Sequence, residues 1–211
     1  MSPHPDTRHQ REKEHGGNDF KIACAIIDDA RICHVGFTVE EYPYVVPMAC
    51  ARDKDQLLLH GSVASRVMKS LADGLDCCVT ITHLDGLVFA RSAFHSSMNY
   101  RSVMIFGKAQ LIEDELEKNR SFDVLVEQLM PGRLAELRDS TPKELKATHL
   151  LKLPIEVFTT KVRTGPPDDP KSDLDLPVWA GVVPFGTING EPVTAPDMRF
   201  KTCAPAYLSK M

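Results

Sequence analysis

Three apolar runs follow one another early in this chain with only a few charged residues between them: ARICHVGFTV (30–39), YVVPMACA (44–51) and QLLLHG (56–61), separated by EEYP and RDKD. Runs this short, rich in β-branched and aliphatic residues and cut by turn-formers, predict an antiparallel meander. Pro47 has no N–H for a ladder, so it must lie on a sheet edge or at a bulge.

The period changes at SVASRVMKSLADGL (62–75), where Val63, Val67, Met68, Leu71 and Leu75 recur on one helical face. CCVTITHLDGLVFARS (77–92) reads as two strands joined by a tight Asp85-Gly86 hairpin, and a longer strand runs from Tyr100 to Ile112. Ahead of the meander, Asp19 caps a short helix through Phe20, Ala23, Ile26 and Ile27. Residues 113–130 begin acidic and carry Leu116, Phe122, Leu125 and Met130 as a core or dimer face, which predicts a helix ending at Pro131-Gly132. A shorter helix follows over Pro142–His149 with Thr141 as its cap. LPIEVFTTKVRT (153–164) reads as a strand, PPDDPKSDLDLP (166–177) as a loop and Trp179–Phe185 as a last strand.

Strands do not alternate regularly with helices, and neither GxGxxG nor GxxxxGK[ST] occurs, which argues against doubly wound nucleotide folds. The expectation is a mainly β domain over residues 19–186, a closed or partly closed barrel with peripheral helices. Residues 1–18 read as a flexible leader and 187–211 as an irregular tail.

With 25 Lys and Arg against 29 Asp and Glu, the net charge is −4. An acidic chain does not attract nucleic acid through its overall field, so any anionic ligand needs a local cluster of cations. No stretch approaches the roughly 18 apolar residues of a membrane span, and the charged N-terminus lacks a signal-peptide core, which together predict a cytoplasmic protein without a membrane partner. Cys24, Cys33, Cys50, Cys77, Cys78 and Cys203 are scattered without a Cys-x-x-Cys pair and read as reduced thiols.

Two clusters bear on chemistry. On the 62–75 helix, Ser62, Ser65, Arg66, Lys69 and Ser70 share the half opposite the apolar face, beside Gly61 and a helix start, as a phosphate would require. Farther on, Arg91 and Ser92 end one strand, while Asn99, Tyr100, Arg101 and Ser102 open the next. Polar groups gathered where two apolar strands meet their connection suggest a site.

Taken together, PYVVPMAC, LLLHGSVASRVMKSL, LVFARSAFHSSMNYRSVMIFG and PVWAGVVPF resemble the FMN-binding split-barrel superfamily related to pyridoxamine 5′-phosphate oxidase over residues 20–185. Within it, the chain is similar to flavin-nucleotide-binding proteins of the nitroimidazole-resistance branch. The resemblance implies a six-stranded antiparallel Greek-key split β-barrel that forms a homodimer, with FMN in a groove at the interface. It implies that His60, Gly61, Ser62, Ser65, Arg66 and Lys69 hold the ribityl phosphate. Arg91, Ser92, Asn99, Tyr100, Arg101 and Ser102 would complete the cradle, in part from the second subunit. Val46, Pro47 and Met48 would flank the isoalloxazine, and Trp179 would close the pocket. The founding oxidase ends in an Arg-rich motif that grips its substrate; here only Arg199 follows Trp179, which argues against that oxidase's own reaction.

His34 reads as an ordinary strand residue, whereas His60 and His95 flank the two polar clusters and are better candidates for a role; His95, beside Ser96 and Ser97, is a candidate general acid or haem ligand. No Ser/His/Asp order, HExxH or Cys/His spacing supports a hydrolase or a metal site. Two functions remain: an FMN-dependent oxidoreductase passing electrons from a donor such as NAD(P)H to a small-molecule substrate, or a non-catalytic FMN- or haem-binding module of the same fold.

Overall fold

The computed structural model describes residues 5–7, 15–200 and 203–210, so most of the expected leader lies outside the described residues. Ten strands run in chain order: β1 Gly16–Gly17, β2 Ile32–Val39, β3 Tyr42–Asp53, β4 Gln56–Ser62, β5 Asp76–Phe89, β6 Ser97–Lys108, β7 Gln110–Leu111, β8 Thr148–Pro154, β9 Val157–Arg163 and β10 Gly181–Pro184. Four α-helices accompany them: α1 Phe20–Asp28, α2 Arg66–Ala72, α3 Glu115–Leu129 and α4 Pro142–Ala147. The strands form one antiparallel sheet in the order β1-β9-β6-β5-β2-β3-β4-β8-β7, with β10 on β5. The class is the expected mainly β one, with more strands than the six implied.

The sheet curls on itself. A Cβ added to Gly107 of β6 would lie 3.3 Å from Leu153 of β8, so strands far apart in the ladder meet across the interior. Val35, Leu57, Leu59, Val79, Ile81, Val103, Ile105, Leu151 and Leu153 fill that interior. Ala23, Ile26 and Ile27 of α1 and Val67, Met68 and Leu71 of α2 join this core. Each fully buried Ile or Leu stabilises the fold by about 1.5–3 kcal/mol. A second layer of Ala51, Leu58, Ile112, Leu125 and Leu150 lies outside β3, β4 and β8, beneath Phe122 and Val124 of α3.

Helices α1 and α2 sit at opposite ends of the curl. Arg52 of β3 binds Asp28 of α1 through Nε at 2.7 Å and Nη2 at 2.5 Å, while Tyr44 of the same strand takes Arg66 of α2 at 3.2 Å. Eight residues of extended chain separate these contacts, roughly 26 Å. Pro47 lies where β3 has only β2 beside it, because β4 pairs with Cys50–Asp53 alone.

Several expectations need correction. The Asp85-Gly86 hairpin does not form: β5 is one strand with a bulge between Leu84 and Gly86. Asp85 is occupied there, its carboxylate by Arg101 and its carbonyl by the Phe185 N–H at 2.9 Å. A Cβ at Gly86 would lie 2.7 Å from the Val183 carbonyl oxygen, so this glycine admits β10. The helix expected from Ser62 starts at Arg66, because His60, Gly61 and Ser62 extend β4 along β8. Residues 153–164 divide into the ends of β8 and β9 around Ile155 and Glu156, and Ala109 interrupts the strand expected to reach Ile112. Gly16–Gly17, inside the expected leader, pair with β9.

Caps behaved as local chemistry dictates. Asp19 accepts from Lys21 N at the start of α1, and Asp114 accepts from Glu117 N at the start of α3. Thr141 and Glu144 form a capping box on α4. The Arg138 guanidinium, then the Thr141 N–H and hydroxyl, hold the Glu144 carboxyl at about 2 against its ordinary 4.5. A carboxyl depressed on folding stabilises the fold fully above its ordinary value and stops doing so as pH falls through its folded one. The gap in melting temperature between the native chain and Glu144→Gln is therefore expected to narrow between about pH 5 and about pH 2. A gap constant over that range would show that the charge contributes nothing.

All six cysteines are free. Cys33 shares a hydrogen bond with Cys50 in the core, which together with burial pushes its thiol far up, and burial raises Cys77 to about 11. These two thiols are protonated at neutral pH and poorly nucleophilic.

Candidate functional site

The first expected cluster is assembled at the α2 end of the curl. Gly61 is required there, because a Cβ would come within 2.8 Å of Met68, and Met48 borders the same spot. Arg66 donates to the Tyr44 hydroxyl at 3.2 Å and lies over the Tyr44 ring at 5.5 Å. Tyr44 in turn stacks on Phe37 at 5.5 Å. Ser65 is the N-cap of α2 without a side-chain cap bond, and Ser62 Oγ accepts from Ala64 N at 3.2 Å. Arg66 and Lys69 are exposed and, among the described residues, meet no carboxylate. A helix of two turns has a weak dipole, so an anion here would rely on these side chains.

His60 does not join that cluster. It has the strand parity of Leu58 and packs against Phe122 of α3, ring centroids 6.2 Å apart. Its Nδ1 is buried without a partner, and burial lowers its pKa, keeping the imidazole neutral. Phe122 also lines a cavity of about 380 Å³ with Leu137, Arg138, Leu145 and Thr148.

The second expected cluster is dispersed within one chain. Arg101 points toward α1, its Nε and Nη2 on Asp85 at 2.9 and 3.0 Å and its Nη1 on Asp29 at 2.6 Å. Hydrogen bonds to Asp85 and then to Asp29 raise its pKa, so the cation is fixed and already neutralised. It stands at the end of the sheet away from Arg66. Arg91 is likewise taken, its backbone N–H and Nη1 by Asp169 at 2.9 and 2.8 Å, with its Nε buried and unpartnered. Burial of the Asp169 side chain opposes its ionisation, yet the Arg91 N–H and guanidinium outweigh this and hold its pKa below the ordinary value.

Ser92 ties the loop after β5 by accepting from the N–H groups of His95 and Ser96. Asn99 bridges Gly165 and Arg163. Tyr100 and Ser102 face outward beside Lys161, whose Nζ lies 5.9 Å from the Tyr100 ring centroid. Trp179 is 66% exposed and leans on Phe89 at 5.8 Å, so it closes no pocket within a single chain. Pro47 is exposed on the outer face.

Three features were not anticipated. The Arg66–Tyr44–Phe37 stack depends on β3 pairing Tyr44 with Phe37, a register the YPYVVP pattern does not reveal alone. Phe37 borders a cavity of about 560 Å³ with Gly36, Asp76, Cys77, Cys78 and Phe106. On the outer face, Val183, Leu87 and Met98 form an exposed apolar ladder across β10, β5 and β6.

The family model for pyridoxamine 5′-phosphate oxidase matches residues 21–162, more than half of the chain. The chain belongs to that family. Its split-barrel fold is shared with the FAD and heme binding protein of Mycobacterium smegmatis, with TM-score 0.89 and 37% identity over 93% of this chain and 97% of that one. The flavocytochrome Anf3 of Azotobacter vinelandii matches with TM-score 0.90 and 37% identity over 97% of this chain and 95% of its own. A Bacteroides thetaiotaomicron protein assigned to 5-nitroimidazole antibiotic resistance matches more distantly, with TM-score 0.60 and 27% identity over 70% of this chain and 86% of its own. No curated protein matches this member of the pyridoxamine 5′-phosphate oxidase family. No helix among the described residues is long and apolar enough to cross a membrane.

Proposed function

We propose that this chain is a flavin-dependent oxidoreductase that also holds a haem and works as a homodimer. The observation that carries this reading is the near full-length similarity to two proteins, one named for binding FAD and heme, the other a flavocytochrome. These relatives move the expected flavin from FMN toward FAD.

The side chains fit both groups. Among the described residues Arg66 and Lys69 meet no carboxylate, and they stand beside Ser62 and Ser65, as a phosphate requires. His60 is neutral, has no hydrogen-bond partner at either ring nitrogen among the described residues, and sits against Phe122, which lines a cavity with Leu137, Leu145, Thr148 and the Arg138–Glu144 pair, so its imidazole would supply a nitrogen ligand to a haem iron. The Val183–Leu87–Met98 ladder suits a second copy of the chain, which would exclude water from the adjoining ring and bring Trp179 and Arg91 to the interface. When bound, a flavin carries one or two electrons and a haem one, so the pair would join a two-electron donor such as NAD(P)H to a one-electron acceptor. The chain's part is to hold phosphate charge at Arg66 and Lys69, to keep His60 unprotonated and to shield both groups from solvent.

The absorption spectrum of the purified protein tests the reading. Flavin bands together with a Soret band are expected, with flavin bleaching under NADH or NADPH in the absence of oxygen. A colourless protein that takes up neither added flavin nor added haemin overturns it.

A further inference from the structure

We propose that the cavity over Gly36, at the α2 end of the curled sheet, binds the adenine ring of a flavin dinucleotide; this rests on the flavin reading above. A glycine inside a strand weakens it by roughly 0.5–1 kcal/mol and commonly marks close approach of a ligand or another backbone. Gly36 lies mid-strand in β2, opposite Val45 and Cys78. A Cβ there would lie 3.4 Å from the Cys78 carbonyl oxygen and 3.9 Å from that of Tyr44, ordinary contact distances, and its φ is not positive. Nothing among the described residues therefore demands glycine, and it lines the cavity of about 560 Å³, which Pro5 also borders.

The lining selects a ring and then a particular one. Cys78 and Phe106, in register with Gly36 across β5 and β6, offer apolar and polarisable surface to a planar base, while Phe37 and Cys77 border it from the interior core. Among the described residues Asp76 is the single charged one in that lining, loosely paired with Lys108 at 3.7 Å and largely exposed. A carboxylate accepts a hydrogen bond from an exocyclic amine, which adenine has. It repels the pyrimidine edge of an isoalloxazine, which gains negative charge on reduction. The position also fits a dinucleotide: Phe37, next to Gly36 and turned to the interior, stacks on Tyr44, and Tyr44 carries Arg66, so the phosphate cations stand at the same end of the sheet as the base cavity, on the other face of β2. FMN, with no second ring, would leave this cavity unused.

The test is titration of flavin-free protein with FAD and with FMN, followed by flavin and protein fluorescence, for the native chain and for Gly36→Val and Asp76→Asn. The native chain is expected to bind FAD about tenfold more tightly than FMN, and Gly36→Val to remove that preference by weakening FAD alone. Asp76→Asn, an exposed change that leaves the core intact, should weaken FAD severalfold and FMN not at all. Equal native affinities for the two flavins, or equal losses of both in the variants, overturn the adenine site and leave the flavin reading standing. A native chain that binds neither flavin removes the reading and this site together.

Discussion

Replacing Arg66 and Lys69 together by Ala is expected to weaken flavin binding by about two to four orders of magnitude. Each charge-assisted contact to a phosphate contributes roughly 1.5–3 kcal/mol, and every 1.4 kcal/mol is tenfold in affinity. Both side chains are exposed and, among the described residues, neither meets a carboxylate, so the fold loses little beyond the stacking of Arg66 on Tyr44 and its hydrogen bond to the Tyr44 hydroxyl. That stacking is worth about 0.5–1 kcal/mol, which for a chain of this size moves the melting temperature by no more than about 4 °C. Equilibrium titration of flavin-free protein at fixed salt measures the effect, and raising the salt should shrink the gap between native and variant. Unchanged affinity would move the phosphate elsewhere. Arg101→Gln is the contrasting case: its guanidinium is committed to Asp85 and Asp29.

His60→Ala is expected to abolish the Soret band while leaving flavin content unchanged. The imidazole has no partner to strand, so its removal leaves no buried donor or acceptor unpaired, only a void beside Phe122. His60→Gly with added imidazole should restore haem, because the small ring can re-enter that void, and such rescue separates ligation from a packing defect. His95, the loop histidine singled out in the sequence, packs its ring on the exposed Phe94 at 5.1 Å. His95→Ala should keep its haem; loss of haem there and retention in His60→Ala would reverse the assignment.

What could be read from the chain was what its near neighbours decide. The Asp19 cap of α1, the Thr141–Glu144 box of α4 and the β2–β3–β4 meander all rest on residues a few positions apart. Misreadings share the opposite property. Asp85-Gly86 has the composition of a tight turn, and it is β10, about 100 residues later, that makes it a bulge. Arg66 and Arg101 look alike in sequence. Arg101 is neutralised by Asp29, 72 positions away, and Arg91 by Asp169, 78 positions away. The resemblance places His60 with Ser62, but Leu57, Leu58 and Leu59 are buried on both faces of β4, so no alternation announces which way the next side chain turns.

The pairing of Gly16–Gly17 with β9 has a consequence for how the molecule is made. Thr160 Oγ1 bonds the Gly17 carbonyl across 143 positions, so β1 cannot dock until β9 has been made. Where β1 fails to dock, β9 presents an open row of amides and carbonyls that invites pairing with another chain. The two glycines act as a late clasp on that vulnerable rim, and their removal should show first as poorer yield at high expression, with the mature fold little altered.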